Sequence, residues 1–268
     1  MKKESKNKLL NEHLSSLISK YSQSNVLDEL AKAHGNLPIQ ALKIEEILDN
    51  QFVKKVTLPL FKLKIFIENY QHNILLEPLV VRAKGDKYEV IIGRKRLAAA
   101  CLAKLPEIPV IIMNYNDEET LLILLAKVRD AQGSGVLELA YIFDHLHKKY
   151  GYSHQSLAKL AMTSRSQVTN ILRLLKLSQP LLKALNYEEL SFGHARALIT
   201  VSEENALSYL RLITENKLSV RELETLLKAP NELGVTDQEY FYIKHKNKVT
   251  IIFKDEMMAN QFIQKKLK

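Results

Sequence analysis

Seven cations without one acid among them mark the part of this sequence best suited to hold phosphate. Lys148, Lys149, Lys159, Arg165, Arg173, Lys176 and Lys183 lie in the stretch from His145 to Tyr187, which has no Asp or Glu although the 268 residues carry 30 acids. A surface free of carboxylates repels no phosphate, which is the electrostatic footprint of a nucleic-acid contact. Within this stretch Ser164, Ser166, Gln167, Thr169 and Asn170 cluster around Arg165. Arg and Lys neutralise phosphates, whereas amide and hydroxyl side chains offer donors and acceptors to base edges in the major groove.

Two short helices are needed to bring these groups to a groove together. The segment YSHQSLAKLAMTSRSQVTNILRLLKL reads as helix, tight turn and helix. Ser153 is the N-cap of the first helix, with Leu157, Leu160 and Ala161 on its buried face. Met162-Thr163-Ser164 forms the turn, and Ser164 caps a second helix that carries Val168, Ile171, Leu172 and Leu175 inward. Lys159, Ser164, Arg165, Ser166, Gln167, Thr169, Asn170, Arg173 and Lys176 are therefore the candidate DNA contacts of a helix-turn-helix. The plainer alternative is a helical pair with a solvated basic face.

Whole-chain properties agree. A net charge of +9 and a pI of 9.3 favour polyanionic partners. The length suggests two domains with tails, and a hydrophobic content of 46% suffices for real cores. No apolar run approaches the ~20 residues of a membrane span, and LLILLA at 121–126 is too short. The N-terminus MKKESKNKLLNEH has no apolar segment of a signal peptide, so a cytoplasmic protein with no membrane partner is expected. The single cysteine, Cys101, excludes an intramolecular disulfide and a cysteine-based metal cluster. Its place on an apolar helix face predicts a core residue. His13, His34, His72, His145, His147, His154 and His245 show no metal-ligand spacing, and no metal site is assigned. No Ser/His/Asp arrangement is present.

The fold class read from the pattern is α+β and mostly helical. Residues 1–36 form a polar arm with short apolar stripes. Residues 37–116 form a small α/β domain: a hairpin in EPLVVRAKGDKYEVII, Gly93 at the junction to a helix in GRKRLAAACLAKL, and a strand in IPVIIMNY. Residues 117–228 read as an all-α domain with loops at Gln132–Gly135, Gly151, Ser178-Gln179-Pro180 and Gly193. A linker at 229–238 leads to a short ββα module at 239–268. There two strands flank HKNK, and Asp255 opens a helix bearing Met258, Phe262 and Ile263. So small a module cannot bury a core alone, which predicts a homodimer.

In combination these segments resemble the ParB family of chromosome and plasmid partition proteins. GRKRLAAACLAKLPEIPVIIMNYNDEE is similar to the family's Gly-Glu-Arg-Arg-x-Arg-Ala-Ala box and following strand. YGYSHQSLAKLAMTSRSQVTNILRLLKL is similar to its helix-turn-helix, and LSFGHARALI and LSVRELETLL to the elements that follow. KNKVTIIFKDEMMANQFIQKKL resembles the terminal dimerisation module, and LLNEHLSSLI the N-terminal peptide that contacts the ParA-type ATPase. The resemblance implies a dimer that binds a palindromic double-stranded DNA site, associates with the nucleoid and acts with a ParA-type ATPase in segregation. It adds His194 and Arg196 to the candidate DNA contacts, Arg196 as a phosphate contact.

The resemblance also implies a CTP-dependent clamp built on a sulfiredoxin-like α/β scaffold. Gly93, Arg94, Lys95 and Arg96 occupy the box that would hold phosphate at a helix N-terminus, where free N–H groups and the helix dipole favour an anion. Two partner motifs depart from the family. Val53-Lys54-Lys55 stand where Gln-Pro-Arg is expected. Lys127-Val128-Arg129-Asp130-Ala131 stand where Glu-Asn-x-Gln-Arg is expected, so magnesium loses its carboxylate. CTP with magnesium is thus implied by the family but not by the motifs, and the expectation is weak, poorly selective binding with little or no hydrolysis. The alternatives to partition are a ParB-derived transcription regulator or nucleoid-occlusion factor and, from another class, a nuclease or sulfiredoxin-like enzyme. The sequence offers the last no acidic pair and no suitably placed thiol.

Overall fold

Branched apolar residues through 79–84 and 87–92, separated by a Gly85-Asp86 turn, fold as the antiparallel hairpin β3 (Leu79–Lys84) and β4 (Lys87–Ile92), with Val81 opposite Val90. The computed structural model describes residues 38–72, 77–130, 135–228, 233–235, 240–245, 248–253, 257, 260 and 262–264. The expected N-terminal arm and its ATPase-contacting peptide, the residues between the last two strands, Asp255 and Met258 lie outside them. The chain divides into two compact units, one up to Leu175 and one from Lys176 onward.

In the first unit β3 and β4 belong to a five-stranded sheet of order β1-β5-β3-β4-β2, with β1 (Ile39–Lys43), β2 (Ile47–Leu48) and β5 (Glu107–Ile112). β5 runs parallel to β3 and antiparallel to β1. The stretch VTLPLFKLKIFIENY, ambiguous between helix and strand by pattern, ends in helix α1 (Lys64–Gln71). Helix α2 (Arg94–Leu102) lays Leu97 and Ala100 on Leu79, Val81, Val90 and Val110. Burying one such side chain contributes about 1.5–3 kcal/mol. Cys101 is exposed, correcting its reading as core: the face of α2 that meets the sheet is set by Leu97 and Ala100, and Cys101 falls beside it.

Helix α3 (Asp117–Asp130) begins with a reciprocal cap. Asn116 Oδ1 accepts the Glu119 N–H, and Glu119 Oε2 accepts the Asn116 N–H, both at 3.0 Å. Leu121 to Ala126 are all buried, as expected of a helix that is apolar all round within a globular core. Among the described residues no helix is long and apolar enough to cross a membrane. Helix α4 (Val136–Tyr150) turns Leu137, Ala140, Ile142, Phe143 and Leu146 inward. Helices α5 (His154–Leu160) and α6 (Arg165–Arg173) follow.

The inward face of α6 differs from the expected one. Val168 and Ile171 are buried, but Leu174 replaces Leu172 and Leu175, which are half-buried. The cause is local: α6 stops at Arg173 and tightens into a 3-10 turn over Leu174–Lys176, and the shorter period brings Leu174 under Ile171.

The second unit contains α7 (Gln179–Asn186), α8 (Phe192–Leu198), α9 (Glu203–Asn216) and α10 (Val220–Lys228). Gly193 is no loop residue. It lies in the first turn of α8, where a Cβ would meet Val220 Cγ2 at 2.8 Å, so it permits a close approach of α8 to the start of α10. Gln179 and Pro180 are likewise helical, since a proline in the first turn forfeits no helical hydrogen bond. The stretch read as a linker contributes a strand, β6 (Leu233–Val235). It pairs with β7 (Tyr240–His245), which in turn pairs with β8 (Lys248–Phe253). Leu233 and Val235 are β-compatible residues beside an otherwise unpaired edge, which the linker-like composition around them concealed.

Candidate functional site

Capping fixes both helices of the helix-turn-helix. Ser153 Oγ accepts the Ser156 N–H at 3.0 Å, and Ser164 Oγ accepts the Gln167 N–H at 3.1 Å. Each bond satisfies a donor that the first helical turn leaves without an internal partner. Between the helices Met162 adopts φ 51, and the Thr163 N–H returns to Ala158 O at 2.9 Å, closing the end of α5. The α5 carbonyl of Leu160 also accepts from Arg129 Nη1 at 3.2 Å, so α3 holds that end in place.

A side-chain strut joins the two helices. Thr169 Oγ1 donates to Arg165 O at 3.0 Å and lies 2.9 Å from His154 Nδ1. Its one proton being used, the hydroxyl accepts from His154, which fixes the Nδ1–H tautomer. Desolvation, then the neighbouring His147 and Arg165, lowers the His154 pKa.

The predicted contacts occupy different environments. Lys159, Ser164, Arg165 and Ser166 are exposed, whereas Gln167, Thr169, Asn170 and Arg173 are half-buried. The Thr169 hydroxyl is committed to the strut, leaving its methyl for contact. Ser164 and Ser166 share a hydrogen bond of 2.8 Å. Among the described residues Lys159, Arg165 and Arg173 form no ion pair, so their charge is available to phosphate. In the second unit Lys176 is exposed. Arg196 pairs with Glu224 at 3.2 Å, a pair that a phosphate would have to displace. His194 is buried, with Nδ1 2.9 Å from Ser191 Oγ and Nε2 unpartnered. Replacing Ser164 by Ala should cost about 0.5–2 kcal/mol of stability, read as a lower midpoint in urea. An unchanged midpoint would mean that the cap contributes nothing.

A second cationic site surrounds the start of α2. Gly93 has φ 103, and α2 leaves its first N–H groups without helical acceptors. The hydrogen-bonding groups of Arg94 are taken up by the protein itself. Its guanidinium meets Asp49 twice, at 2.7 and 2.9 Å, Val56 O at 2.6 Å and Glu138 at 3.1 Å. The segments on either side of residues 53–55, the α2 start and the start of α4 are thereby drawn around one buried side chain. Arg96 donates to the carbonyls of Glu77 and Pro78, and burial lowers its pKa despite Glu77 and Tyr70 nearby. The Tyr70 hydroxyl is buried without a hydrogen-bond partner.

Lys127, at the expected glutamate position, faces this same cluster. Part of its surface reaches solvent, yet desolvation of its ammonium is the largest of the effects that together lower its pKa to about 8. Glu138 opposes this shift, and Arg96, Lys95 and Arg94 act in the same direction as desolvation. The residues present do not fit magnesium: the nearby carboxylates of Asp49 and Glu138 are spent on Arg94, and no metal-binding group of acids, histidines or cysteines occurs among the described residues. Sequence reasoning missed the closeness of Lys127 to the Arg94–Arg96 turn and the pairing of Asp49 and Glu138 with Arg94. A lysine closing the otherwise apolar run LLILLAK was the available signal.

Comparison with known proteins places both regions. The ParB N-terminal domain family matches residues 28–127, and the ParB HTH domain family matches residues 134–232. The chain is 34% identical over 199 residues to the probable chromosome 1-partitioning protein ParB of Deinococcus radiodurans, covering 74% of this chain and 69% of that one. It is 30% identical over 200 residues to the nucleoid occlusion protein of Shouchella clausii, covering 74% and 71%. Among solved structures it is similar to the C-terminally truncated chromosome-partitioning protein ParB from Caulobacter crescentus complexed to the centromeric parS site. That match has 28% identity and a TM-score of 0.41, over 70% of this chain and 97% of that one.

Proposed function

From the premise that this chain belongs to the ParB family, we propose that it is a sequence-specific DNA-binding partition protein that reads a palindromic, centromere-like duplex as a homodimer. The carrying observation is the capped α5–α6 pair, which presents exposed Lys159 and Arg165, without an acidic partner among the described residues, together with Gln167 and Asn170. Cations of this kind supply the salt-dependent, sequence-independent share of affinity, and the amides discriminate bases. Two-fold symmetry of the site requires two copies, and residues 239–268 are the segment assigned to dimerisation, behind the junction at 229–238. The arm at 1–36 is assigned to a ParA-type ATPase. Residues 37–116 and 117–228 divide the chain functionally into pocket and reader. Such a protein works in the cytoplasm, on the nucleoid. No catalytic residue is assigned.

A nucleoid-occlusion role is the second reading, favoured by the 30% identity to a protein of that name. A genome-wide occupancy map in the source cell separates the two. Partition expects a few palindromic sites clustered near the replication origin, beside a gene for a Walker-type ATPase. Sites dispersed around the chromosome favour occlusion, promoter sites favour regulation, and occupancy without any sequence preference would overturn DNA recognition altogether.

A further inference from the structure

The hydroxyl of Thr169 has no proton to offer a base. It donates to Arg165 O at 3.0 Å and accepts from His154 Nδ1 at 2.9 Å. A threonine in a helix divides between two χ1 wells, and two bonds on one oxygen select a single well. His154 is itself held. The His147 ring meets it edge-on with centroids 5.1 Å apart, and His147 Nδ1 lies 2.7 Å from the carbonyl of the fully buried Tyr152. A chain of contacts thus runs from α4 through the start of α5 to one side chain on α6. Arg165, Thr169 and Arg173 recur at four-residue spacing and share a face of α6. Thr169 is half-buried, and neither arginine forms an ion pair among the described residues. What Thr169 has left for a partner is a methyl group in a fixed orientation, between two cations available to phosphate. A methyl group does nothing for a phosphate. It suits one feature of the major groove, the 5-methyl group of thymine.

We infer that Thr169 reads a thymine methyl group in each half-site, and that His154 is the positioning residue that presents the threonine methyl by holding its hydroxyl. This rests on the reading of α6 as the recognition helix and names the chemical group that one of its residues recognises. Gln167 and Asn170 discriminate bases by donors and acceptors. A methyl contact adds the one difference between thymine and uracil, which no hydrogen bond reports.

Deoxyuridine scanning of the mapped palindrome tests the inference, since each replacement removes one methyl group and leaves every donor and acceptor in place. For the full chain, one thymine in each half-site should weaken binding about fourfold when replaced, and about fifteenfold when both half-sites are changed, the effect of one and two buried methyl groups. Thr169→Ser keeps the hydroxyl and loses the methyl. It should bind the unmodified palindrome as the wild type binds the doubly replaced one, and should be indifferent to deoxyuridine at that position. His154→Phe keeps a ring without the Nδ1 donor and should lose most of the deoxyuridine penalty. His154→Asn, with an amide N–H where Nδ1 stood, should restore it. A merely structural His154 would change affinity for the thymine and deoxyuridine duplexes alike and leave their ratio at the wild-type value, which overturns its positioning role. A scan with no methyl-sensitive thymine, or a penalty that persists in Thr169→Ser, overturns the thymine contact while a preference for the palindrome over scrambled DNA still supports the recognition helix. Equal binding of palindrome and scrambled duplex would remove both.

Discussion

Replacing Arg82 by Met should lower the unfolding free energy by about 3–5 kcal/mol, the cost of removing one partner from a buried ion pair. Arg82 is 4% exposed and Glu89 1% exposed. The guanidinium reaches Glu89 Oε2 at 2.6 and 2.8 Å, Asp117 Oδ1 at 2.7 Å and Tyr115 O at 3.1 Å. Without it Glu89 keeps, among the described residues, the Gln51 N–H at 2.8 Å and a distant Lys84 at 3.6 Å. Arg82→Met with Glu89→Leu should recover most of the loss in urea denaturation. Failure of the double variant to recover would mean that Arg82 acts through packing alone.

The same network predicts an acid-side effect. Burial pushes the Asp117 carboxyl upward, but hydrogen bonds from Lys149 and Arg82 and their charges overcome this and hold it at about 2. A depressed carboxylate contributes stability that is present above its unfolded pKa, about 3.9. That contribution is lost as pH falls from about 4 through 2. Arg82→Met should flatten this part of the stability profile.

Gly93→Ala should cost about 2–6 kcal/mol, adding a strained backbone of about 1–3 to overpacking of about 1–3. Its φ is +103, and the new Cβ would stand 2.3 Å from Cδ2 of Leu79, which is fully buried. Gly85→Ala separates the two contributions: φ is +60 there, but nothing lies within 4 Å. A loss at Gly93 no larger than at Gly85 would show that the sheet yields to the extra methyl group.

Legibility of the fold followed the range of the forces involved. The hairpin, the Gly93 junction and both serine caps are set within a few residues, and they were visible as alternation, glycine placement and cap chemistry. β1 and β6 were not visible, because short strands gain their pairing from residues distant in sequence: Ile39 opposite Ile111, Leu233 opposite Ile243. The face of α6 was misread where a 3-10 turn changes the helical period, which no composition rule registers. In the site, the cationic character of α6 was plain in the sequence. The commitment of Arg94 to Asp49 and Glu138 was not, since 45 and 44 residues separate the partners. Lys127 appeared only as a departure from a motif until folding set it beside the Arg94–Arg96 turn.

Recognition through α6 is tested most directly by measuring binding of the full chain to its mapped palindromic duplex and to a scrambled duplex of equal length, across a range of salt. Gln167→Ala and Asn170→Ala should each lose about 1–3 kcal/mol on the palindrome and little on the scrambled DNA. Lys159→Ala should weaken both and reduce the salt slope by about one unit. Equal loss of affinity on the two duplexes for Gln167→Ala and Asn170→Ala would contradict base reading by this helix.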